Sequence, residues 1–173
     1  LINMSSEFDF EVLDLGLIGY QDGFSLQQDL VNKIALGKRK GVLIFCEHSP
    51  VITLGRGAKR ENVLKPAEQL KSLGIEVVNT NRGGDVTLHL PGQLVVYPVF
   101  DLRYLGRDIG VFLRNMEKAV ISVLKDYRIK ATALEGSTGV WVEQKKIASI
   151  GIAVKNWVAY HGVSLNISCD LDL

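Results

Sequence analysis

A chain of 173 residues is long enough to bury one full core and short for two domains. Its apolar content of 47% and charged content of 23% are those of a soluble globular protein. A net charge of +1 removes the case for generic binding to nucleic acid or to a membrane surface, and no apolar run approaches the roughly 18 residues of a membrane span.

Residues 1–6, from Leu1 to Ser6, lack a basic region followed by an apolar block, so they are not read as a signal peptide, and Met4 stands as a candidate native start. Two cysteines, Cys46 and Cys169, make no disulfide framework, and a reducing compartment is the simplest reading. Residues 8–15 alternate, with Phe8, Phe10 and Val12 against Asp9 and Glu11, which predicts a strand. Residues 20–36 carry apolar side chains at helical spacing, and Gly37 is the stop. The following Lys38, Arg39 and Lys40 read either as a solvated helix end or as a docking patch for an acidic partner.

Residues 41–45 form a continuous apolar run, which predicts a buried central strand with Cys46 at its end as a small core residue. Glu47, His48, Ser49 and Pro50 then turn the chain into a strand over 51–54, which Gly55, Arg56 and Gly57 close. His48, beside the proline, reads as a hydrogen-bonded structural histidine. A short helix over 66–73, stopped by Gly74, leads into the apolar run 75–78.

The next twelve residues concentrate the chemistry of the chain. They run Arg82, Gly83, Gly84, Asp85, Val86, Thr87, Leu88, His89, Leu90, Pro91, Gly92, Gln93. Paired glycines allow positive φ and close backbone approach, and their N–H groups are candidates to cradle an anion or a carbonyl oxygen. Val86, Leu88 and Leu90 alternate with Thr87 and His89, so a short strand is expected to send the two polar side chains toward a pocket.

Residues 94–100 are a further apolar strand, in which Pro98 points to an edge or a bulge. Asp108 is positioned to cap a helix whose apolar positions are Phe112, Met116, Ala119, Val120, Val123, Leu124 and Tyr127. From Ala131 the pattern is β again: strands over 139–142, 146–154 and 160–167, with 143–145 as a turn. The fold class read from this order is α+β or mixed α/β, a single domain over residues 1–173 with a mostly antiparallel sheet and flanking helices.

Lys146 enters the apolar strand 147–152. A partly desolvated ammonium there suits proton transfer, and a lysine snorkelling to water is the competing reading. Period 2 puts Ser149 and Gly151 on the face of Ile147. His161 followed by Gly162 points to close backbone approach, with Asn166 able to orient a turn. His48, His89 and His161 lie far apart, without a metal-ligand pattern.

Taken together, Arg82-Gly83-Gly84 with Thr87, His89 and Pro91-Gly92-Gln93-Leu94, then Gly139-Val140-Trp141-Val142, Lys146 to Gly151, His161-Gly162 and Leu165-Asn166 resemble the lipoyl(octanoyl) transferase family. Glu47 to Pro50 and Thr53 to Arg56 extend the resemblance over nearly the whole chain. It implies the fold of the biotin and lipoate protein ligase catalytic domains. It also implies transfer of an octanoyl group from acyl carrier protein to a lysine of lipoyl domains, those of 2-oxoacid dehydrogenases and of the glycine cleavage H protein. This is the first step of protein lipoylation, carried out by a cytoplasmic monomer without metal, ATP or other cofactor.

The family works through a cysteine–lysine pair, in which a thiolate holds the acyl group as a thioester and the acceptor amine then attacks it. Lys146 occupies the lysine position. Arg82, Gly83, Gly84, Asp85, Val86, Thr87, Leu88 and His89 would line the acyl pocket. Ser149, Ile150 and Gly151 with Gly162, Val163 and Ser164 would complete its wall, and backbone N–H groups there would hold the carbonyl oxygen.

Two departures stand out. Leu90 replaces a family glycine. The family nucleophile lies in a Pro-Cys-Gly segment well beyond the His-Gly pair, so it is expected past Leu173, and Cys169 is assigned no catalytic role. The alternatives are an ATP-dependent lipoate or biotin ligase, and a non-catalytic module that binds an acyl group. The basic residues Lys38, Arg39, Lys40, Lys59 and Arg60 are candidates to meet an acidic carrier.

Overall fold

The computed structural model describes residues 9–39 and 41–172. The expectations placed on residues 1–6, Phe8, Lys40 and Leu173 lie outside the described residues. A seven-stranded sheet carries the fold, with a three-stranded sheet beside it. The large sheet contains β1 (Phe10–Ile18), β2 (Gly41–His48), β6 (Gln93–Asp101), β7 (Thr132–Leu134), β8 (Ser137–Val142), β9 (Lys145–Lys155) and β10 (Val158–Asn166). Its order is β1-β2-β6-β10-β9-β8-β7, antiparallel throughout except for the β1–β2 pair. The small sheet has β3 (Val51–Leu54) between β4 (Glu76–Asn79) and β5 (Val86–His89). This is the mixed α/β, mostly antiparallel class that the residue patterns predict.

The helices take opposite faces of the large sheet, and β6 shows why. Val95, Tyr97 and Val99 pack with Leu30, Val31 and Ile34 of α1 (Tyr20–Ala35), while Leu94, Val96 and Phe100 join Phe112, Met116, Val120 and Leu124 of α3 (Ile109–Asp126). Alternate residues of a strand point to opposite faces, so one apolar run serves two cores. Asp108 caps α3 by accepting the Val111 N–H at 2.9 Å. Along α3, Ala119, Val123 and Tyr127 are exposed, so the buried stripe is narrower than the apolar pattern. The short helix α2 (Ala67–Ser72) closes a small core with Ile52, Leu70 and Ile75.

In β1 the buried-facing residues are Leu13, Leu15 and Ile18, whereas Phe10 and Val12 are exposed; the strand lies at the sheet edge and turns its later residues to the core. β6 is interior, not an edge, despite Pro98. Opposite this proline the β10 ladder opens, and His161 donates its N–H to Gln27 Oε1 of α1 at 2.7 Å. With the ladder open at this point, β10 makes no pair that requires an N–H from Pro98. Finally, the β8–β9 register shifts between Val140 and Trp141. Ile147 packs against the core that contains α3, and Ser149 and Gly151 line the cleft described next.

Candidate active site

A cleft of about 450 Å³ lies where the loop between β4 and β5 meets β9 and β10. The loop is held down by backbone bonds on two sides. Gly83 donates its N–H to Ile152 O of β9 at 2.8 Å, and Gly57 donates to Gly84 O at 3.0 Å. Asn81 links the loop to β10, donating to Tyr160 Oη at 2.7 Å and accepting from His161 Nε2 at 2.8 Å. Gly83 N–H is thus consumed by the protein itself. The cradle role expected of it gives way to tight packing of the loop on β9.

Glycines make this crossing feasible. A Cβ on Gly151 would sit 2.6 Å from Gly83 O, and a Cβ on Gly162, paired with Gly151, would sit 2.0 Å from Val96 O. Gly84 has φ +88°, a conformation that L side chains rarely adopt. The close approach expected at His161-Gly162 is real, and its partner is the backbone of β6.

Arg82 is the buried cation of the cleft, 8% exposed. Its guanidinium donates to Thr53 O at 2.8 Å, to Thr53 Oγ1 and to Gly83 O at 3.0 Å, all neutral acceptors. Burial lowers its pKa. Asp85 turns its carboxylate outward, to the Lys59 N–H at 3.0 Å and to Asn62 Nδ2, and the Lys59 N–H is the main cause that holds its pKa down.

His89 donates from Nδ1 to Gln93 Oε1 at 2.7 Å, because the Gln93 amide nitrogen is already committed to Leu88 O and Asn166 Oδ1. Burial, with minor help from the His48 and Arg82 charges, pushes its pKa down to about 3. His161 is pushed down to about 3 as well, by burial first and by the Arg82 charge second. Both rings are neutral at pH 7 and act as polar wall, not as cations. His48 is fully buried behind them. It donates from Nδ1 to Ile18 O at 3.1 Å and accepts the Tyr97 hydroxyl at 2.7 Å, the structural part read for it from the sequence.

The structure gathers most of the sequence-predicted residues into this one cleft. Arg82, Gly83, Gly84, Asp85, Val86, Thr87 and His89 line one side; Ser149, Ile150, Gly151, Gly162, Val163 and Ser164 line another; Lys146 completes the set. Leu88 is the exception. It packs on the small core and lines no part of the cleft, whereas Val86, nearer the loop, does both. Leu90 is buried outside the lining.

Of the two readings of Lys146, the structure shows the one in which the side chain reaches to water: it is exposed, not partly desolvated. Nζ lies 4.8 Å from the Trp141 ring centroid and 3.4 Å from Thr138 O, at the rim of the cleft. Lys145 and Lys146 pair with β8 alone, because the β10 ladder reaches only to Ala148, so this end of β9 is open on one side.

Neither described cysteine lines the cleft. Cys46 is 2% exposed, and burial raises its thiol pKa to about 12. Cys169 Sγ lies 3.5 Å from Asn166 Oδ1. Among the described residues no cluster of three or more His, Cys, Asp or Glu side chains could hold a metal ion.

Sequence reasoning missed several lining residues: Tyr20 at the start of α1, Val95 and Tyr97 of β6, and Ile109 and Leu113 at the start of α3. The sequence reading marks Tyr20, Val95 and Tyr97 only as apolar positions of their elements and singles out neither Ile109 nor Leu113. Ile109 is 42% exposed at the start of α3, and no sequence pattern marks it or Leu113 as a cleft residue.

With the geometry in hand, comparison with known proteins is specific. Residues 19–173 match the lipoyl protein ligase A/B catalytic domain. An octanoyltransferase of Syntrophotalea carbinolica is 45% identical over 161 residues, spanning 93% of this chain and 73% of that protein. An octanoyltransferase of Geobacter metallireducens is 44% identical over 160 residues, 92% of this chain and 72% of that one. Among solved structures, Ta0514, a putative lipoate protein ligase from T. acidophilum, superposes with a TM-score of 0.70 at 20% identity, covering 95% of this chain and 71% of that chain. A lipoate-protein ligase A bound with ATP gives 0.67 at 18% identity, covering 94% and 68%. The structural likenesses establish the fold; the closer relatives carry the chemistry.

Proposed function

The chain belongs to the lipoyl protein ligase A/B catalytic domain family, and on that premise we propose that it is an octanoyltransferase of protein lipoylation, taking the acyl group from acyl carrier protein. The acceptor is a lysine of lipoyl domains, including those of 2-oxoacid dehydrogenases and the glycine cleavage H protein. The observation that carries this reading is the single cleft in which the Arg82–Gly84 loop, Thr87, His89, Lys146 and the Gly151–Gly162 pair converge. Its apolar side chains, among them Val95, Ile109, Leu113 and Ile150, suit an alkyl chain, and its few polar groups suit the reacting end.

Two transfers complete the reaction. A cysteine thiolate attacks the octanoyl thioester of the carrier, and the carrier thiol leaves with a proton. The acceptor amine then attacks the enzyme thioester, loses a proton and releases the enzyme thiol. No redox change occurs, and the thioester supplies the driving force, so ATP is not consumed. Lys146 is the proposed proton-transfer group. Its place at the rim, not the floor, suits substrates that are proteins delivering their reacting groups on long arms. The thiol in this proposal is a cysteine following Leu173, since Cys46 is sealed in the core and Cys169 lies off the cleft. We read residues 1–173 as one catalytic domain acting as a cytoplasmic monomer. Among the described residues no helix is long and apolar enough to cross a membrane.

Carrier docking is proposed at Lys59 and Arg60. Their turn is tied to Asp85 at the cleft rim, and Lys59 meets Glu61 only at 4.0 Å with both side chains exposed, whereas Arg39 is paired with Glu11 at 2.7 Å.

The test is transfer from octanoyl-carrier protein to a lipoyl domain by the full-length protein, wild type and Lys146→Ala, read from the acceptor mass. Transfer without ATP, abolished in the folded variant, is the expected result. Wild-type turnover in Lys146→Ala would remove the lysine from the mechanism, and exchange of pyrophosphate into ATP dependent on free octanoate would favour a ligase.

A further inference from the structure

Glu117 is a charged side chain where a helix should be apolar. It lies on the inner face of α3, 1% exposed. A buried carboxylate is costly unless its oxygens are occupied, and both are. Oε2 meets Arg114 Nη1 at 2.6 Å, and Oε1 accepts the Gly139 N–H at 2.9 Å. The peptide that Glu117 grips is the one joining Thr138 to Gly139. The carbonyl of that same peptide, Thr138 O, accepts from Lys146 Nζ at 3.4 Å. A peptide unit is rigid and planar, and trans geometry points its N–H and C=O in opposite directions. One plane therefore has a carboxylate on its donor end and an ammonium on its acceptor end.

We propose that Glu117 is a positioning residue for Lys146, acting through the Thr138–Gly139 peptide. The proposal rests on the reading of Lys146 as the proton-transfer group. A carboxylate on the N–H draws positive charge to that end of the peptide, and the carbonyl oxygen becomes a stronger acceptor. The ammonium is held there, beside the Trp141 ring, instead of sweeping through solvent. Gly139 fits this arrangement. Its φ is +140°, and a Cβ would sit 2.8 Å from Ala148 O and 3.2 Å from Lys146 Cε, so neither a side chain nor an ordinary turn could replace it. Arg114, 44% exposed, balances the buried charge from the solvent side without competing for Gly139. The core needs no such device: a methionine at 117 would fill the same space.

The discriminating variant is Glu117→Gln, which keeps an acceptor of the same shape and leaves Arg114 free to be hydrated. Two readouts apply to the full-length protein. In acyl transfer, kcat is expected to fall roughly fivefold or more with KM little changed, the difference between a charge-assisted and a neutral hydrogen bond. Independently of turnover, limited acetylation resolved peptide by peptide is expected to rise at Lys146, while Lys33 and Lys125 keep their rates. A Lys146 acetylation rate unchanged in a folded Glu117→Gln protein overturns the proposal. So does an equal rise at all three lysines, which would mark general loosening. Should Lys146→Ala retain wild-type turnover while the acetylation effect persists, the catalytic reading of Lys146 fails and the Glu117 linkage stands.

Discussion

The packing of the twin-glycine loop on β9 can be tested by adding one methyl group. In Gly151→Ala the new Cβ lands 2.6 Å from Gly83 O, a backbone atom that cannot rotate away. Ordinary contact at 3.4 Å requires the loop to retreat by about 0.8 Å. The Gly83 N–H to Ile152 O bond, now 2.8 Å, would then stretch beyond hydrogen-bonding distance. Overpacking of this kind costs about 1–3 kcal/mol, which for a chain of this size lowers the melting temperature by roughly 2–12 °C. The domain survives that loss. The cleft does not survive it unchanged, because Arg82 and Gly84 move with Gly83. A displacement approaching 1 Å at a reacting centre costs on the order of 10- to 100-fold in rate. The assay is octanoyl transfer measured beside thermal unfolding. Activity within about twofold of wild type in a folded Gly151→Ala protein would refute the claim that loop and strand together set the cleft.

Two further outcomes follow from the buried polar groups. His89 and His161, both held near pKa 3, stay neutral in the folded protein while the unfolded chain protonates them near 6.5. Stability is therefore unaffected by them above pH 6.5, and it falls as pH drops from 6.5 toward 3. Each ring costs about 2 kcal/mol by pH 5. Urea unfolding at pH 7 and pH 5 checks this, and an unchanged midpoint would contradict it. Cys46, with its thiol raised to about 12, should resist alkylation at pH 8 in the native protein and react promptly once urea unfolds it. Rapid labelling of the native protein would show that β2 is not sealed.

Much of this was legible in the residues, for definite reasons. Period-2 and period-3.6 patterns placed the helices and most strands, because burial on one face leaves that mark. The Arg82–Gln93 stretch stood out because arginine, paired glycines and histidine are expensive to keep in a plain turn. What escaped depended on partners distant in sequence. Pro98 argues for an edge, yet β6 is interior because the β10 ladder opens opposite the proline, a gap set by strands far apart in sequence. For Lys146 the apolar run that follows left two readings open, and the end of the β10 ladder at Ala148, which leaves the lysine on an open strand end, decides for exposure. Leu88 belonged to the motif but not to the cleft. Glu117 left no mark at all in the helical pattern, because a buried carboxylate is explained only by the peptide it holds, 22 residues along the chain.

The most direct measurement is the intact mass of the full-length protein after incubation with octanoyl-carrier protein and no acceptor. The account predicts one added octanoyl group, removed by hydroxylamine and mapping to a cysteine other than Cys46 and Cys169. No adduct on any cysteine, or an adduct confined to Cys46 or Cys169, would contradict it.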